Sequence, residues 1–304
     1  MIPILLAPLA GFTDKSFRSL CLEFGSSLAT TEMVSAKALT FGDKKSLILA
    51  QPGTAPCAVQ LFGSEPNIME KAAKIVAPMS PAAIDINMGC PVPKIVSNGE
   101  GSALMRNPDL ISRIVEATCR AGLPVTVKLR AGIDGVKNAA ICAKAAEVGG
   151  AAAVTVHARL REEMYHPDTV DISVIAKVKN AVNIPVYANG DICTKSDMEK
   201  VLAFTNADGI MIGRAALGNP AVFRVLQGGT APDATEHIAI CKRHITMLVA
   251  DKGETVAIRQ ARAHLCWYLR GLRGAAALRA KAVRLETFAE FEKLLGDMEG
   301  GDLA

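Results

Sequence analysis

The chain has 304 residues, 50% of them hydrophobic and 21% charged, with a net charge of +4. That length supports one large core and a smaller one, and the longest apolar run, Ile4–Ala10, is far short of the roughly 20 residues that a membrane-spanning helix needs. Met1-Ile2-Pro3 lacks the basic segment and cleavage signal of a secretory leader, and the eight cysteines come no closer than 23 positions, Cys119 to Cys142. A cytoplasmic, reduced protein without disulfides or a bound metal is therefore expected.

In chain order, eight short apolar or β-branched runs lie between Ile4 and Gly213: Ile4–Ala10, Ala29–Glu32, Ala58–Leu61, Ile84–Asn87, Val125–Leu129, Val154–His157, Val186–Asn189 and Gly209–Gly213. Between them the helical period is clearest at Ile68–Val76, Leu110–Ala121, Ala139–Val148, Ile172–Ala181 and Lys195–Phe204. Strands that alternate with helices pair in parallel, and continuous apolar strands are buried on both faces. Eight such units predict an α/β fold of the (β/α)8 TIM-barrel type. The competitor, a doubly wound open sheet, usually carries a Gly-rich phosphate turn after its first strand, and Ala7-Pro8-Leu9-Ala10-Gly11 is not one. Gly228-Gly229-Thr230-Ala231-Pro232 reads as a linker, after which only helical periodicity remains, from near Thr235 to a frayed tail at Gly300-Gly301-Asp302. The division is thus a barrel over residues 1–230 and a small all-α unit over 231–304.

Six of the eight runs end in polar residues. They finish at Gln60, at Asn87 followed by Cys90, at Lys128 and Arg130, at His157 and Arg159, at Asn189-Gly190-Asp191, and at Gly213-Arg214. A strand buried on both faces carries such groups at a cost of a few kcal/mol each unless they are paired. Active sites of these barrels lie at the carboxyl ends of the strands, so one convergent polar site is expected. Each residue has a plainer reading: a solvated Lys128, a core His157, capping roles for Gln60 and Asn87, a buried small Cys90. Their coincidence at strand ends weighs against all of these together. The pair Asn189-Gly190 and Gly213-Arg214 ends the seventh and eighth strands, where such barrels often bind phosphate through backbone N–H groups and a short helix at Ala215-Ala216-Leu217. Two ordinary strand-to-helix turns are the alternative.

At Asp85-Ile86-Asn87-Met88-Gly89-Cys90-Pro91 with Lys94, the sequence resembles the tRNA-dihydrouridine synthases. The resemblance extends through Gly101-Ser102-Ala103-Leu104-Met105, Ala7-Pro8-Leu9-Ala10-Gly11 with Thr13-Asp14, Val59–Gly63, Val127–Arg130, Tyr187–Ile192, Ile212–Arg214 and His264–Leu269, and so covers Pro3 to about Leu295. It implies FMN as a tightly bound cofactor, with Pro8, Leu9 and Ala10 along the ring, Gln60 and Lys128 at its polar edge and His157 nearby. Asn189, Gly190, Asp191, Gly213 and Arg214 would be placed around the phosphate. Cys90 would act as general acid, and Asn87, Arg130 and Arg159 would face the substrate. NADPH or NADH would be the reductant and tRNA the partner, with a monomer favoured. Reduction of the uracil 5,6 bond needs a hydride, which reduced flavin supplies from N5, and a proton, which a thiol still protonated at pH 7 can donate. Lys128 suits the charge near flavin N1. Two departures stand out: Ala158 where many members have Gly, and the loop Tyr165–Asp171, which lacks the usual Gly and is one residue longer, with Ile172 where Trp is common.

Between Thr255 and Leu285 there are seven Arg and Lys residues and no acid: Arg259, Arg262, Arg270, Arg273, Arg279, Lys281 and Arg284. On one continuous helix the first four fall within an arc of roughly 80°, a face suited to tracking phosphates, although Gly271 and Gly274 are potential breaks. Two other functions remain open at this point. An FMN barrel reducing a free enone or pyrimidine explains the strand ends but not the basic stretch. A non-catalytic RNA-binding protein explains the basic stretch but leaves Cys90, Lys128 and His157 without purpose.

Overall fold

The computed structural model describes residues 2–299, so the expected frayed tail at Gly300–Asp302 lies outside the described residues. Nine strands form one all-parallel sheet: β1 (Ile4–Leu6), β2 (Ala29–Thr30), β3 (Val34–Ser35), β4 (Cys57–Phe62), β5 (Ala83–Met88), β6 (Val125–Gly132), β7 (Ala153–Leu160), β8 (Val186–Asn189) and β9 (Gly209–Ile212). Their order is β1-β9-β8-β7-β6-β5-β4-β2, with β3 also on β4. The Leu6 N–H donates to the Leu28 carbonyl at 2.9 Å, and Leu5 bridges Leu28, which brings the first strand round to the second. The result is a nearly closed barrel of eight strand positions. The one predicted run that is interrupted is Ala29–Glu32. Only Ala29–Thr30 of it is strand, as β2, and β3 lies beyond its end, because four residue steps from Thr30 to Val34 face three from Ala58 to Leu61. In the gap the Thr31 hydroxyl accepts the Gln60 N–H at 3.0 Å, so a side chain replaces the missing backbone acceptor.

The predicted helices are present, with starts set by local chemistry. Pro66–Val76 and Pro108–Cys119 begin two residues earlier than the periodicity alone indicates, because proline is compatible with the first helical position. In the second of these, Asn107 also accepts the Leu110 N–H at 3.0 Å. After the linker, Asp233 caps the helix Ala234–Lys252, and the helices Glu254–Tyr268, Ala275–Ala282 and Phe288–Glu299 follow. No helix among the described residues is long and apolar enough to cross a membrane. The barrel core, from Leu6 and Val59 to Val156 and Ile212, is separate from a helical core built on Ile245, Leu248, Ile258, Leu265 and Phe291.

The two parts meet at a buried polar contact. Asp14 uses one carboxylate oxygen to cap the helix Lys15–Glu23, accepting the Ser16 and Phe17 N–H groups. Its other oxygen lies 3.0 Å from His264 Nε2, on the helix Glu254–Tyr268. His244 packs edge-on against His264, with ring centroids 4.5 Å apart, and Phe12 and Phe17 lie against the same imidazoles. Asp14, His244 and His264 are the group of potential metal ligands that come together among the described residues, and the 3.0 Å contact is a hydrogen-bond length. Gly218 completes the docking. Its positive φ of 67° and the backbone of Trp267 and Tyr268 leave no room for a β-carbon.

Burial opposes ionisation of Asp14, but the His264 hydrogen bond and nearby positive charge outweigh it and hold the carboxyl well below the usual range. Asp14→Ala is expected to lower unfolding free energy by about 3–5 kcal/mol, because it strands a buried partner; a urea denaturation midpoint close to wild type would contradict this. Burial, and then the charge of His264, pushes His244 down to about 3. Between about pH 6.5 and 3 the unfolded chain therefore binds a proton that the folded one refuses, so stability is lost as the pH drops through that window. His244→Phe should flatten this part of the stability–pH curve.

Candidate active site

The carboxyl ends of the strands surround a cavity of about 490 Å³, within the size range of cofactor pockets. Pro8, Leu9 and Ala10 after β1, Gln60 on β4, Lys128 on β6, His157 on β7, Asn189-Gly190-Asp191 after β8 and Gly213-Arg214 after β9 all line it. Cys90, Asn87 and Arg130 do so as well. The parallel register puts neighbours in adjacent positions, Gln60 beside Asp85, Asn87 beside Lys128, and His157 beside both Arg130 and Asn189.

Cys90 is held by its backbone. Asn87 Oδ1 accepts the Cys90 N–H at 2.9 Å and the Gly89 N–H at 3.2 Å. The Cys90 carbonyl accepts from the Ser102 N–H at 3.1 Å and from the Ser102 hydroxyl at 2.9 Å. Gly101 has φ +60°, and a β-carbon there would stand 2.9 Å from the Cys90 carbonyl oxygen, so this approach requires glycine. The thiol is half-buried, and burial raises its pKa against the weaker opposing effects of the Val92 N–H and the Arg130 charge. It is a thiol, not a thiolate, at neutral pH.

The cations of the site are tightly arranged. Lys128 donates to Asn189 Oδ1 at 3.0 Å. It faces the cavity, but protein surrounds it, and desolvation together with the Arg130 charge lowers its pKa to about 8, with Asp85 opposing. Arg130 is buried and donates to the carbonyls of Gly89, Leu160 and Met164 at 2.8–3.0 Å. Burial and then the charges of Lys128, Arg130, Arg159 and Arg214 push His157 well down, so its imidazole is neutral.

Arg159 departs from the expectation of a substrate contact. It is fully buried, is not among the cavity-lining residues, and donates to the His166 carbonyl, to Thr169 Oγ1 and to Asp191. Asp191 also accepts from Arg214 at 2.5 Å, so this carboxylate holds two guanidiniums in place at the rim. The basic stretch departs as well. Its helix ends at Tyr268, and Gly271 and Gly274, with φ of 85° and 73°, turn the chain, so the four arginines do not share one helical face. Arg262 is spent on the Leu285 carbonyl, at 2.8 and 2.6 Å from Nε and Nη2. Arg259 and Arg273 are exposed away from the cavity wall, while Arg270 reaches that wall and lies over the Trp267 ring at 5.8 Å.

The model of the dihydrouridine synthase (Dus) family matches residues 5–299. The chain belongs to this family. It is 41% identical over 289 residues to a probable tRNA-dihydrouridine synthase of Rickettsia conorii, covering 91% of this chain and 87% of that one. It is 41% identical over 269 residues to the protein of the same description from Rhizobium leguminosarum bv. phaseoli, with 88% and 84% covered. It is 39% identical over 294 residues to tRNA-dihydrouridine synthase B of Pseudomonas syringae pv. tomato, with 93% and 87% covered.

Some residues at the cavity of this dihydrouridine synthase family member were not singled out from sequence as part of it. Tyr165, from the divergent loop, lies between two guanidiniums, with Arg130 and Arg214 each 5.3 Å from its ring centre. Trp267 lines the cavity and packs edge-on against Phe12. Met33, in the break between β2 and β3, also faces it. None of these has a one-dimensional signal, because each reaches the site through a loop or a distant helix end. The raised thiol pKa predicts that Cys90 alkylation, followed by peptide mass spectrometry, has a midpoint above that of a free thiol; a midpoint near 7 would contradict the neutral resting state.

Proposed function

We propose that this protein reduces the 5,6 double bond of uridines in tRNA to 5,6-dihydrouridine, with bound FMN as cofactor and NADPH or NADH as reductant. The observation that carries this reading is the convergence in one cavity of a backbone-pinned neutral thiol and a half-buried ammonium, Cys90 and Lys128. The names of the three relatives agree with it.

The residues fit FMN. Pro8, Leu9 and Ala10 form an apolar wall, Lys128 and Gln60 supply polar contacts, and Gly190, Gly213 and Arg214 offer an anion site. At Gly213 a β-carbon would have its nearest neighbours 3.9 Å away, so glycine there leaves space into which a phosphate can come close to backbone N–H groups. When bound, reduced FMN supplies the hydride. Lys128 would hold positive charge toward its polar edge, and Cys90 Sγ would deliver a proton to the other carbon of the base, leaving a thiolate. Asn87 and Arg130 orient the uracil, and neutral His157 serves as a hydrogen-bonding partner rather than a charge. We assign residues 1–230 to catalysis and 231–304 to holding RNA, with Arg259, Arg270 and Arg273 toward phosphates and Trp267 at the entry for an extruded base. Cytoplasmic location follows from the substrate.

Incubation of unmodified tRNA with protein, FMN and NADPH should add two hydrogens to uridine, seen by nucleoside mass spectrometry, and free uridine should not react. Cys90→Ala should keep the flavin and lose about 100-fold or more in tRNA reduction, the scale of a missing general acid; undiminished turnover would end the acid role. In the flavin-free protein Lys128 loses its charge as pH rises through about 8, so FMN affinity should fall above that pH. Lys128→Met should bind FMN more weakly and without that alkaline limb. Charge reversal at Arg259 and Arg273 should weaken tRNA binding and its salt dependence without releasing flavin.

A further inference from the structure

Beneath the cavity floor runs a chain of hydrogen bonds that the proposed chemistry does not account for. Asp85, on β5, is buried and accepts from the Thr126 hydroxyl at 2.6 Å through one oxygen and from Gln60 Nε2 at 2.6 Å through the other. Gln60 Oε1 accepts from Asn87 Nδ2 at 2.9 Å, and Asn87 Oδ1 accepts the Gly89 and Cys90 N–H groups. The direction of every link is forced. At one end stand backbone N–H groups, which can only donate, so Asn87 must turn its oxygen to them and its NH₂ to Gln60. Gln60 must then turn its oxygen to Asn87 and its NH₂ away, toward a group that accepts. Asp85 is that acceptor, on a rigid strand and gripped on its other side by Thr126.

We infer that Asp85 is a positioning residue, whose carboxylate anchors the Gln60–Asn87 chain and through it fixes the backbone of Cys90 and leaves a Gln60 N–H for the cofactor. The inference deepens the proposed reaction, on which its catalytic consequence rests; its geometric content does not. Two amides on rotatable side chains separate the carboxylate from Cys90. With a fixed acceptor at the far end both are locked, and without one Gln60 is free to turn to cavity water and release Asn87. An unsatisfied buried group here costs about as much as one buried hydrogen bond, or roughly tenfold in the population of the locked arrangement.

The test compares Asp85→Val, which removes the acceptor, with Asp85→Asn, which keeps an oxygen for Gln60 and offers its NH₂ to a turned Thr126 hydroxyl. In flavin-free protein, Cys90 alkylation read by peptide mass spectrometry should be about tenfold faster in Asp85→Val and within about threefold of wild type in Asp85→Asn. In the loaded enzyme, kcat for tRNA reduction should fall about tenfold in Asp85→Val and recover in Asp85→Asn. Equal alkylation of Cys90 in wild type and Asp85→Val would overturn the inference, as would equal acceleration in both variants, which would make the charge and not the acceptor the cause. Because alkylation needs neither flavin nor RNA, failure of the proposed reaction leaves that readout intact. Should Asp85→Val not fold, Gln60→Glu takes its place. Protonated, Glu at 60 donates to Asp85 and accepts from Asn87; ionised, it cannot donate. Cys90 alkylation relative to wild type at each pH should therefore be near one at pH 6 and rise with pH, and a ratio unchanged with pH would refute the chain.

Discussion

Parallel strands in a nearly closed barrel all end on the same rim, and the site depends on that constraint before it depends on any one residue. Gln60, Asn87, Lys128, His157, Asn189 and Arg214 come from six different strands or the turns after them, yet the in-register pairing from β4 round to β1 brings them to one cavity. A parallel sheet covered on both faces has no other place for polar side chains. Their polarity is tolerated because they satisfy one another, as Lys128 does with Asn189 and Gln60 with Asp85 and Asn87.

Charge at this rim is unbalanced. Lys128, Arg130, Arg159 and Arg214 lie close enough to depress His157, whereas of the acids Asp191 pairs with Arg159 and Arg214, and Asp85 acts on Lys128 only through its charge. The two acids are consumed, Asp191 by two guanidiniums and Asp85 by Thr126 and Gln60. Such a site has an excess of positive potential and is suited to an anionic ligand. The neutral Cys90 thiol fits the same field, because burial raises its pKa more than the Arg130 charge lowers it.

The helical part contributes to this site through its docking. Asp14 follows directly on the turn after β1 that forms one cavity wall, and its contact with His264 ties that turn to the helix whose end carries Trp267 and Arg270. One buried hydrogen bond thus links the apolar wall of the cavity to Trp267 and Arg270 at its rim. Gly218 and the aromatic contacts of Phe12 set the same geometry from both sides.

The barrel was legible from alternation alone, because burial of every strand on two faces writes continuous apolar runs, and the turn to pure helical periodicity marks where the strands stop. The strand-end residues were legible for the same reason, since Lys128 or Gln60 inside such a run is conspicuous. What the sequence could not express is direction and partnership. Arg159 ends a strand like Arg130 does, but its guanidinium is committed to Asp191 and the 166–169 loop, and only the packed structure distinguishes the two. Arg259, Arg262, Arg270 and Arg273 look like one basic face with potential breaks at Gly271 and Gly274, but the helix ends before both, at Tyr268, and the Leu285 carbonyl claims Arg262. The pairing of Asp14 with His264 across 250 positions, the entry of Tyr165 and Trp267 into the cavity and the anchoring by Asp85 were decided by tertiary structure. The physical reason is common to all of them: periodicity records which face of a segment is buried, whereas a hydrogen bond or a stacked ring depends on which distant segment arrives opposite.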